Sequence, residues 1–409
     1  MREKIRLLQR EIIDRIDLSK KLEEEELKEV IDREISRDEQ VRYLKLEYKT
    51  ILRRELFYEI RQLGFLQELL GDEEITEIMV NGTAPVFIEK GGKIHQLSIA
   101  FDSPEKLRQV IQQIVSGCNR TVNEASPIVD ARLNDGSRVN AVLPPIALDG
   151  PILTIRRFSK ESMTMQELIE KETVSKEVAV FLEKAVKAGC NILISGGTGC
   201  GKTTFLNALS AYISESQRVI TIEDSAELKL QGLPNLVRLE TRNMTLNDEQ
   251  AITIRDLLKT SLRMRPDRLI VGEVRGSEAV DMLQSMNVGH SAMSTIHANS
   301  VRDVVSRLET MVLMGMELPI SAVRRQILSA FDLFIHLGRM CDGSRKVLEI
   351  AEPDVLKDGE VRMRTLYLFE EDDSARDWHD KSGGRITGKW VRKGELKHVE
   401  KLKAAGCGG

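Results

Sequence analysis

The sequence predicts an α/β protein whose largest part is a parallel sheet covered by helices on both faces. From Thr173 onward, helical patterns such as AVFLEKAVKAG alternate with short apolar runs such as NILISG, RVITIED and DRLIVGE. This alternation is typical of parallel strands that are buried on both sides. Aromatic residues make up only 4% of the 409 residues. Aliphatic side chains must therefore build the core, which suits helices packed on buried strands better than a β-sandwich.

The first part of the chain, residues 1–63, is expected to be a helical module. Apolar residues from Ile5 to Ile16 recur at the three- and four-residue spacing of one helix face. We expect a later helix to run from Val41 until Gly64, because glycine commonly ends a helix.

Residues 64–158 are expected to form a small α+β domain. The runs ITEIMVNG and VFIEKGGKIHQLSI read as short strands that are separated by Asn-Gly and Gly-Gly turn signals. Helical VIQQIVSGC follows, and then the strand-turn-strand candidate VDARLNDGSRVNAVL. The remainder, residues 159–409, is predicted to be one α/β domain with a C-terminal helical extension.

Composition and charge exclude some classes of protein. The chain has 60 Lys+Arg against 64 Asp+Glu and a net charge of -4, which gives no overall electrostatic reason to bind a polyanion such as DNA, although local basic patches remain possible. Five cysteines without a C-x-x-C pair favour reduced thiols over a disulfide framework or a tetracysteine zinc site. No apolar run approaches the roughly 18 residues of a membrane span, so we expect a soluble, cytoplasmic protein.

The stretch ILISGGTGCGKTTF, residues 192–205, satisfies the phosphate-loop pattern G-x-x-x-x-G-K-[ST] between a strand and a helix. Its glycines let successive backbone N-H groups face phosphate oxygens, and the helix N-terminus adds partial positive charge. Lys202 would neutralise the β and γ phosphates of ATP, and Thr203 would hold Mg²⁺. The predicted nucleotide-binding residues are Gly196, Gly197, Thr198, Gly199, Cys200, Gly201, Lys202, Thr203 and Thr204.

Two acidic strand ends follow the phosphate loop. VITIEDSAEL carries Glu223, Asp224 and Glu227, and RPDRLIVGEVRG carries Glu273. The carboxyl edge of a parallel sheet is the usual ligand side, and a bound Mg²⁺ and an attacking water both need acids. We therefore expect these acids to be catalytic or metal-binding, with Thr203, Asp224 and Glu273 as the Mg²⁺ ligands.

Two of the six histidines, His290 and His297, lie in GHSAMSTIHANS beyond the second acidic strand. Isolated histidines are often structural, but this placement favours a sensor of the γ-phosphate over a metal site, since no third ligand has compatible spacing.

Several arginines flank the acidic segments, and some of them must be ordinary ion-pair partners. An ATPase that works at a subunit boundary needs guanidinium groups at the transferring phosphoryl group, so we expect one or two to serve a neighbour's nucleotide. The candidates are Arg156, Arg157, Arg238, Arg242, Arg263, Arg265 and Arg275.

These motifs, in their sequences and in their order along the chain, resemble those of a known family. Residues 65 to about 340 are similar to the secretion and pilus-assembly ATPases of the type II/type IV superfamily, most closely to the CpaF/TadA branch that serves Tad-type pili. The matching motifs, in order, are EIMVNG, PIVDARLNDGSRVNAVLPP, LTIRRF, GGTGCGKTT, TIEDSAEL, LRMRPDRLIVGEVRG and GHSAMSTIHANS. The zinc-binding tetracysteine insert of the type II secretion and type IV pilus extension branch is missing, which disfavours that branch.

The resemblance implies a RecA-like P-loop ATPase core preceded by an N-terminal domain that closes over nucleotide. By it, Glu223, Asp224 and Glu227 form an aspartate box with Glu227 as general base, and Glu273 is the Walker B acid. Gly289, His290, Thr295 and His297 match a histidine box. The resemblance also implies a homo-hexamer at the cytoplasmic face of the inner membrane, held there by pilus or secretion platform proteins rather than by direct contact with lipid or nucleic acid.

Three other classes of function remain open. A helicase or DNA-transfer motor would share the core, but the chain lacks an aromatic-and-basic binding stretch. A nucleotide-gated binding module would keep Lys202 and Thr203 and lose the acids, which are present. A small-molecule kinase would need an acceptor-binding lid, for which no segment is visible.

Overall fold

The computed structural model describes residues 24–37, 41, 43, 45–60, 65–118, 120–133, 135–157, 163–242, 251–355, 361–372 and 386–406. The chain divides into two compact units, Met1–Ser159 and Lys160–Gly409. The helix predicted from Ile5 and the domain boundaries predicted at 63–64 and 158–159 lie outside the described residues. The separation of a helical module from a small α+β domain stays a prediction.

The first unit begins with helices. Helix α1 (Glu24–Arg37) and helix α2 (Leu46–Ile60) lie in the region predicted to be helical, although α2 begins later than the Val41 start that we predicted. The other elements are α3 (Leu66–Gly71), β1 (Ile75–Asn81), β2 (Phe87–Lys90), β3 (Lys93–Gln96), α4 (Pro104–Gly117), β4 (Ile128–Arg132), β5 (Arg138–Val142) and β6 (Ile152–Arg156).

The six strands of the first unit form an antiparallel sheet in the order β3-β2-β1-β6-β5-β4. Helix α4 starts at Pro104 because Ser103 caps it, accepting a hydrogen bond from the Lys106 amide. Its apolar face, which includes Leu107 and Ile111, is fully buried in the same cluster as the inner side chains of the strands. The strands and the helix predicted from the sequence of residues 75–142 are present.

The second unit alternates helices and strands before a run of strands. Its helices are α5 (Met165–Glu170), α6 (Lys176–Lys187), α7 (Lys202–Ser210), α8 (Ile254–Ser261), α9 (Glu278–Asn287), α10 (Val301–Gly315), α11 (Ile320–Ala330) and α12 (Glu400–Ala404), with a 3-10 turn at Leu262–Met264. Its strands are β7 (Ile192–Gly196), β8 (Val219–Glu223), β9 (Leu236–Glu240), β10 (Arg268–Val274), β11 (Ser291–Ile296), β12 (Leu333–Arg339), β13 (Arg345–Val355), β14 (Val361–Glu371) and β15 (Gly388–Arg392).

Nine strands form one sheet in the order β15-β14-β13-β12-β7-β11-β10-β8-β9. The six strands from β12 to β9 in this order are parallel to one another, and β13 to β15 extend the sheet in antiparallel fashion. The carboxyl ends of β7, β8, β10, β11 and β12 therefore meet at one edge. Loops at this edge carry the predicted site residues that follow strand ends.

Helices cover both faces of the parallel strands, as the sequence predicted. In β7, Ile192 and Ile194 belong to one apolar cluster with α6 and α7, whereas Leu193 belongs to a second cluster with α9, α10 and α11. All five residues of β7 are buried. A strand buried on both sides has no solvent-facing side, which explains why β7 begins with the apolar run Ile192 to Ile194. The hydroxyl of its buried Ser195 donates to the Ile335 carbonyl at 3.2 Å.

The C-terminal part differs from the helical extension that we predicted. Helices α10 and α11 are present, but the residues that the structure describes from Leu333 onward form β12 to β15 and one short helix. The prediction of a helical extension was therefore wrong. The run LYLF in β14 places Leu366, Tyr367 and Phe369 in buried positions, and the Trp390 indole in β15 packs against the Phe369 ring. Aromatic and branched side chains of this kind favour pleated strands over helices.

Among the described residues, no helix combines the length and the apolar character needed to cross a bilayer.

Candidate functional site

The phosphate-loop sequence forms a tight turn between β7 and α7. Gly196 ends the strand, and a Cβ atom there would lie 2.4 Å from the Leu337 carbonyl oxygen and 2.5 Å from the Cys200 sulfur, so only glycine fits. Gly201, with φ +94°, directly precedes α7 in the left-handed region that favours glycine. The loop thus presents a helix N-terminus at the carboxyl edge of the sheet. This is the geometry in which backbone N-H groups bind anions.

The Lys202 side chain lies beneath this loop and is only 8% exposed. Its ammonium donates to the carbonyl oxygens of Gly196 at 3.1 Å and Gly197 at 3.0 Å, and lies 3.2 Å from Nδ1 of His297. Burial lowers the pKa of Lys202, because desolvation disfavours the charged form. The Lys202 ammonium is therefore held within the loop by neutral carbonyl oxygens, which are weak acceptors that an anion can replace.

His297 connects the phosphate loop to the second acidic strand end. An ammonium group can only donate hydrogen bonds, so Nδ1 of His297 must accept from Lys202 and the ring proton belongs on Nε2. Nε2 lies 3.1 Å from Oε1 of Glu273. Burial lowers the pKa of His297, and the charge of Lys202 adds to this effect while Glu273 opposes it. The ring is thus a neutral bridge between a cation and a carboxylate.

Glu273 lies at the centre of a chain of charged side chains. Its Oε2 accepts from the Arg275 guanidinium at 2.9 Å. Arg275 also lies 3.6 Å from the Asp224 carboxylate, which accepts from the Thr241 hydroxyl at 2.8 Å. The hydrogen bond to Glu273 raises the pKa of Arg275. The structure therefore joins Asp224 and Glu273, which come from two different strand ends, through one arginine.

Glu223 has a different environment from the other acids. It is 2% exposed, and its Oε1 accepts from the backbone amides of Glu227 and Leu228, both at 2.8 Å. Burial raises the pKa of Glu223, although these two amides oppose the shift. These contacts fix the loop that carries Glu227, which is half-buried. The catalytic role of Glu223 stays a prediction.

Some predicted site residues do not come together. His290 precedes β11 and His297 follows it, so the strand separates the two histidines and places His290 at the amino edge of the sheet. The structure therefore does not bring His290 to the phosphate loop of its own chain, and its catalytic role stays a prediction. Arg263 also lies at the amino edge, in the turn that precedes β10. Arg242 is exposed at the carboxyl edge, beyond the end of β9.

Comparisons with known proteins agree with this geometry. Residues 59–387 match the family described as type II/IV secretion system protein. The chain belongs to that family. The superfamily inferred from the motifs is thereby confirmed, whereas its CpaF/TadA branch stays a prediction.

Relatives of this chain carry names that refer to transfer, secretion or pilus systems. A putative conjugal transfer protein of Mycobacterium tuberculosis is 32% identical, over 80% of this chain and 95% of the relative. The type IV secretion system protein PtlH of Bordetella pertussis is 32% identical, over 70% of this chain and 93% of the relative. The crystal structure of the pilus retraction motor PilT with bound ADP is similar in fold, with a TM-score of 0.52, 21% identity, and coverage of 74% of this chain and 82% of that chain. The RecA-like P-loop fold is thus confirmed.

The donor groups of this secretion-family chain fit Mg²⁺ bound together with phosphates. No group of three or more His, Cys, Asp or Glu residues in the described part is arranged to hold a metal by itself. Mg²⁺ is usually bound through one or two carboxylates, waters and substrate phosphates. Oε1 of Glu273 is buried and lies 3.1 Å from Nε2 of His297, but this contact is not aligned as a hydrogen bond, so the oxygen keeps its capacity to accept one or to bind a metal. The half-buried Thr203 hydroxyl, in the first turn of α7, is the second suitable oxygen.

Sequence reasoning missed two arginines beside the phosphate loop. Nε of Arg345 donates to the Gly199 carbonyl at 2.9 Å, and a Cβ at Gly199 would lie 3.8 Å from the Arg339 guanidinium. Both arginines belong to the hairpin between β12 and β13. The Asp342-Gly343 pair, a common hairpin turn signal, could have located the hairpin but not its proximity to the loop.

Proposed function

We propose that the protein is an Mg-dependent ATPase, a motor that powers pilus assembly or protein secretion across the bacterial inner membrane. The observation that carries this proposal is the contact chain Lys202-His297-Glu273, which links a phosphate loop to an acidic strand end. Membership of the secretion family and the ADP bound to the structurally similar PilT support nucleotide as the ligand.

The residues of the loop act by replacing water around the triphosphate. Backbone N-H groups of Gly197 to Thr204 face the phosphates, and Lys202 exchanges its loop carbonyls for phosphate oxygens, which bind a cation more strongly. Thr203, Glu273 and Asp224 would hold Mg²⁺, which would supply positive charge against the charge that develops on the phosphates.

The acids and His297 act on the γ-phosphate end. Glu227 accepts a proton from the attacking water, and Glu223 holds the loop that carries Glu227 in place through its amide contacts. His297 couples the presence or loss of the γ-phosphate to the position of Glu273, because it contacts both Lys202 and Glu273.

A ring of six copies completes the site in this proposal. Lys202 and Mg²⁺ supply three positive charges to a triphosphate that carries about four negative charges, and phosphoryl transfer commonly recruits an arginine. Arg242 is exposed at the carboxyl edge of the sheet, where a neighbouring subunit can approach it. Arg263 lies at the amino edge and would have to serve a different neighbour's site. Platform proteins of the pilus or secretion system would hold the ring peripherally at the cytoplasmic face of the inner membrane.

Mixing subunits tests the ring. We expect wild-type protein mixed with Arg242→Ala subunits to lose ATPase activity more steeply than the mutant fraction rises, because each mutant subunit also disables a neighbour's site. The measurement is the rate of ATP hydrolysis against mutant fraction, with the oligomeric state followed by sedimentation. Arg392→Ala is the matched control, since Arg392 is exposed on β15 and makes only a weak ion pair with Glu395 at 3.8 Å. A proportional fall in activity, together with a fully active monomer, would show that each site is self-contained.

A DNA-transfer motor is the second candidate, and the similarity to a putative conjugal transfer protein favours it. We expect single-stranded DNA to leave the rate of ATP hydrolysis unchanged, because the net charge of -4 gives no general attraction to a polyanion. Turnover measured with and without DNA at low salt checks this expectation. A stimulation that disappears as salt is added would instead indicate DNA as the cargo, since phosphate-backbone binding weakens with salt.

A further inference from the structure

We propose that Arg339 and Arg345, on the hairpin that joins β12 to β13, bind the phosphates of the nucleotide held by the phosphate loop of the same chain. This inference rests on the proposed nucleotide binding and adds two ligand-binding residues to it. Both arginines lie more than 130 positions after the loop in the sequence, and the sheet brings them to it because β12 pairs with β7.

The first argument is proximity. Arg345 donates from Nε to the Gly199 carbonyl at 2.9 Å. A Cβ atom on Gly201 would lie 3.2 Å from Cδ of Arg345, so this side chain lies along the part of the loop that leads into α7. Because only Nε is used in this bond, the two terminal nitrogens of the guanidinium are left to bind a planar pair of oxygens.

The second argument is an electrostatic conflict. Arg339 and Arg345 are directly opposite each other in the β12-β13 ladder, and like charges in opposite positions destabilise a sheet. Within the described residues, neither guanidinium has a carboxylate within ion-pair distance. Arg339 and Arg345 are both exposed, and their charges repel each other beside an anion-binding loop. An anion that binds between or beside them reduces this repulsion.

The third argument is that the nearby acid is already occupied. Asp342, in the turn of the hairpin, accepts from the Ser344 amide and hydroxyl at 2.8 and 2.6 Å and from the Ile386 amide at 2.8 Å. These bonds shape the turn and attach it to residue 386. They also hold the Asp342 carboxylate on the turn, so that it does not neutralise either arginine.

The experiment compares affinities for Mg-ATP and for inorganic triphosphate, which has no base or sugar. We expect Arg339→Ala and Arg345→Ala each to weaken both ligands by roughly ten- to a hundredfold, the range for losing one charge-assisted hydrogen bond. Arg392→Ala, on β15 of the same sheet, should match the wild type. Thermal unfolding without nucleotide checks folding. If Arg345→Ala is destabilised through the lost Gly199 bond, Arg339→Ala carries the test, because Arg339 makes no side-chain hydrogen bond in the described part of the chain.

Each outcome decides one point. Wild-type affinity in both arginine variants would overturn the inference while leaving the proposed function in place, provided that Lys202→Ala still weakens binding. A loss for Mg-ATP without a loss for triphosphate would also overturn it, since the arginines would then contact the base or sugar. Failure of the wild-type chain to bind either ligand would overturn the proposed function and, with it, this inference.

Discussion

Replacing Lys202 with alanine is expected to reduce the rate of ATP hydrolysis by about 100- to 1,000-fold, the usual cost of removing one preorganised donor from a transition state. In the structure, Lys202 is the buried cation of the loop and is held by the carbonyl oxygens of Gly196 and Gly197. Its removal leaves the phosphates without their nearest positive side chain. The measurement is steady-state ATP hydrolysis at saturating Mg²⁺.

The control for this prediction is Lys389→Ala, because Lys389 is an exposed lysine on β15 of the same sheet. Both variants should retain the far-ultraviolet circular dichroism of the wild type, which shows that the fold is kept. Near-normal hydrolysis by a well-folded Lys202→Ala protein would mean that the loop is not the site of phosphoryl transfer.

Replacing Glu227 with glutamine should leave Mg-ATP binding intact and reduce turnover by about 100- to 10,000-fold, the range for loss of general-base catalysis. The amide has nearly the shape of the carboxylate but cannot accept the proton of the attacking water. The backbone amide of Glu227, which donates to Glu223, is unchanged by the substitution. Nucleotide affinity and single-turnover hydrolysis, measured on the same preparation, separate binding from chemistry.

Glu215→Gln is the matched control, since Glu215 is an exposed acid of the same unit that follows α7. An affinity loss in Glu227→Gln as large as the rate loss would assign Glu227 to metal binding or to loop structure. In that event Glu273, whose buried Oε1 contacts His297 without an aligned hydrogen bond, becomes the stronger candidate for positioning the water.

The sequence predicted the phosphate loop because its chemistry is local. Glycines at positions of special backbone geometry, a lysine and two hydroxyl residues all lie within residues 196–204, and the strand that leads into them begins with the apolar run Ile192 to Ile194. The acidic strand ends were predictable for a related reason. In a parallel sheet all strands end at the same edge, so Glu223 and Glu273 had to lie on the side of the loop.

The two histidines lie at opposite edges of the sheet, which their sequence did not indicate. The strand β11 occupies the interval between His290 and His297, and its sequence includes the polar residues Ser291, Ser294 and Thr295. Thr295 is nevertheless buried, because its hydroxyl donates to the Gly272 carbonyl at 2.7 Å. Polar strand residues whose partners are distant in sequence cannot be recognised by hydrophobic periodicity, and so His290 was placed with His297.

The hairpin arginines were missed for a different reason. Nothing in the sequence around Arg339 and Arg345 distinguishes them from other exposed arginines. Their position depends on the pairing of β12 with β7, a contact between segments that are far apart along the chain. Pairings of this kind are set by the whole topology rather than by any local pattern.

The central place of β7 in the nine-stranded sheet has a mechanical consequence. This strand is hydrogen-bonded to β11 on one side and to β12 on the other, and its side chains are packed between two apolar layers. The loop at its end therefore has a firmly held support, because β7 cannot slide without breaking its hydrogen bonds to the strands on both sides. In the proposed motor, a conformational change caused by nucleotide would therefore arise in the loops at the carboxyl edge or move the parallel sheet as a whole.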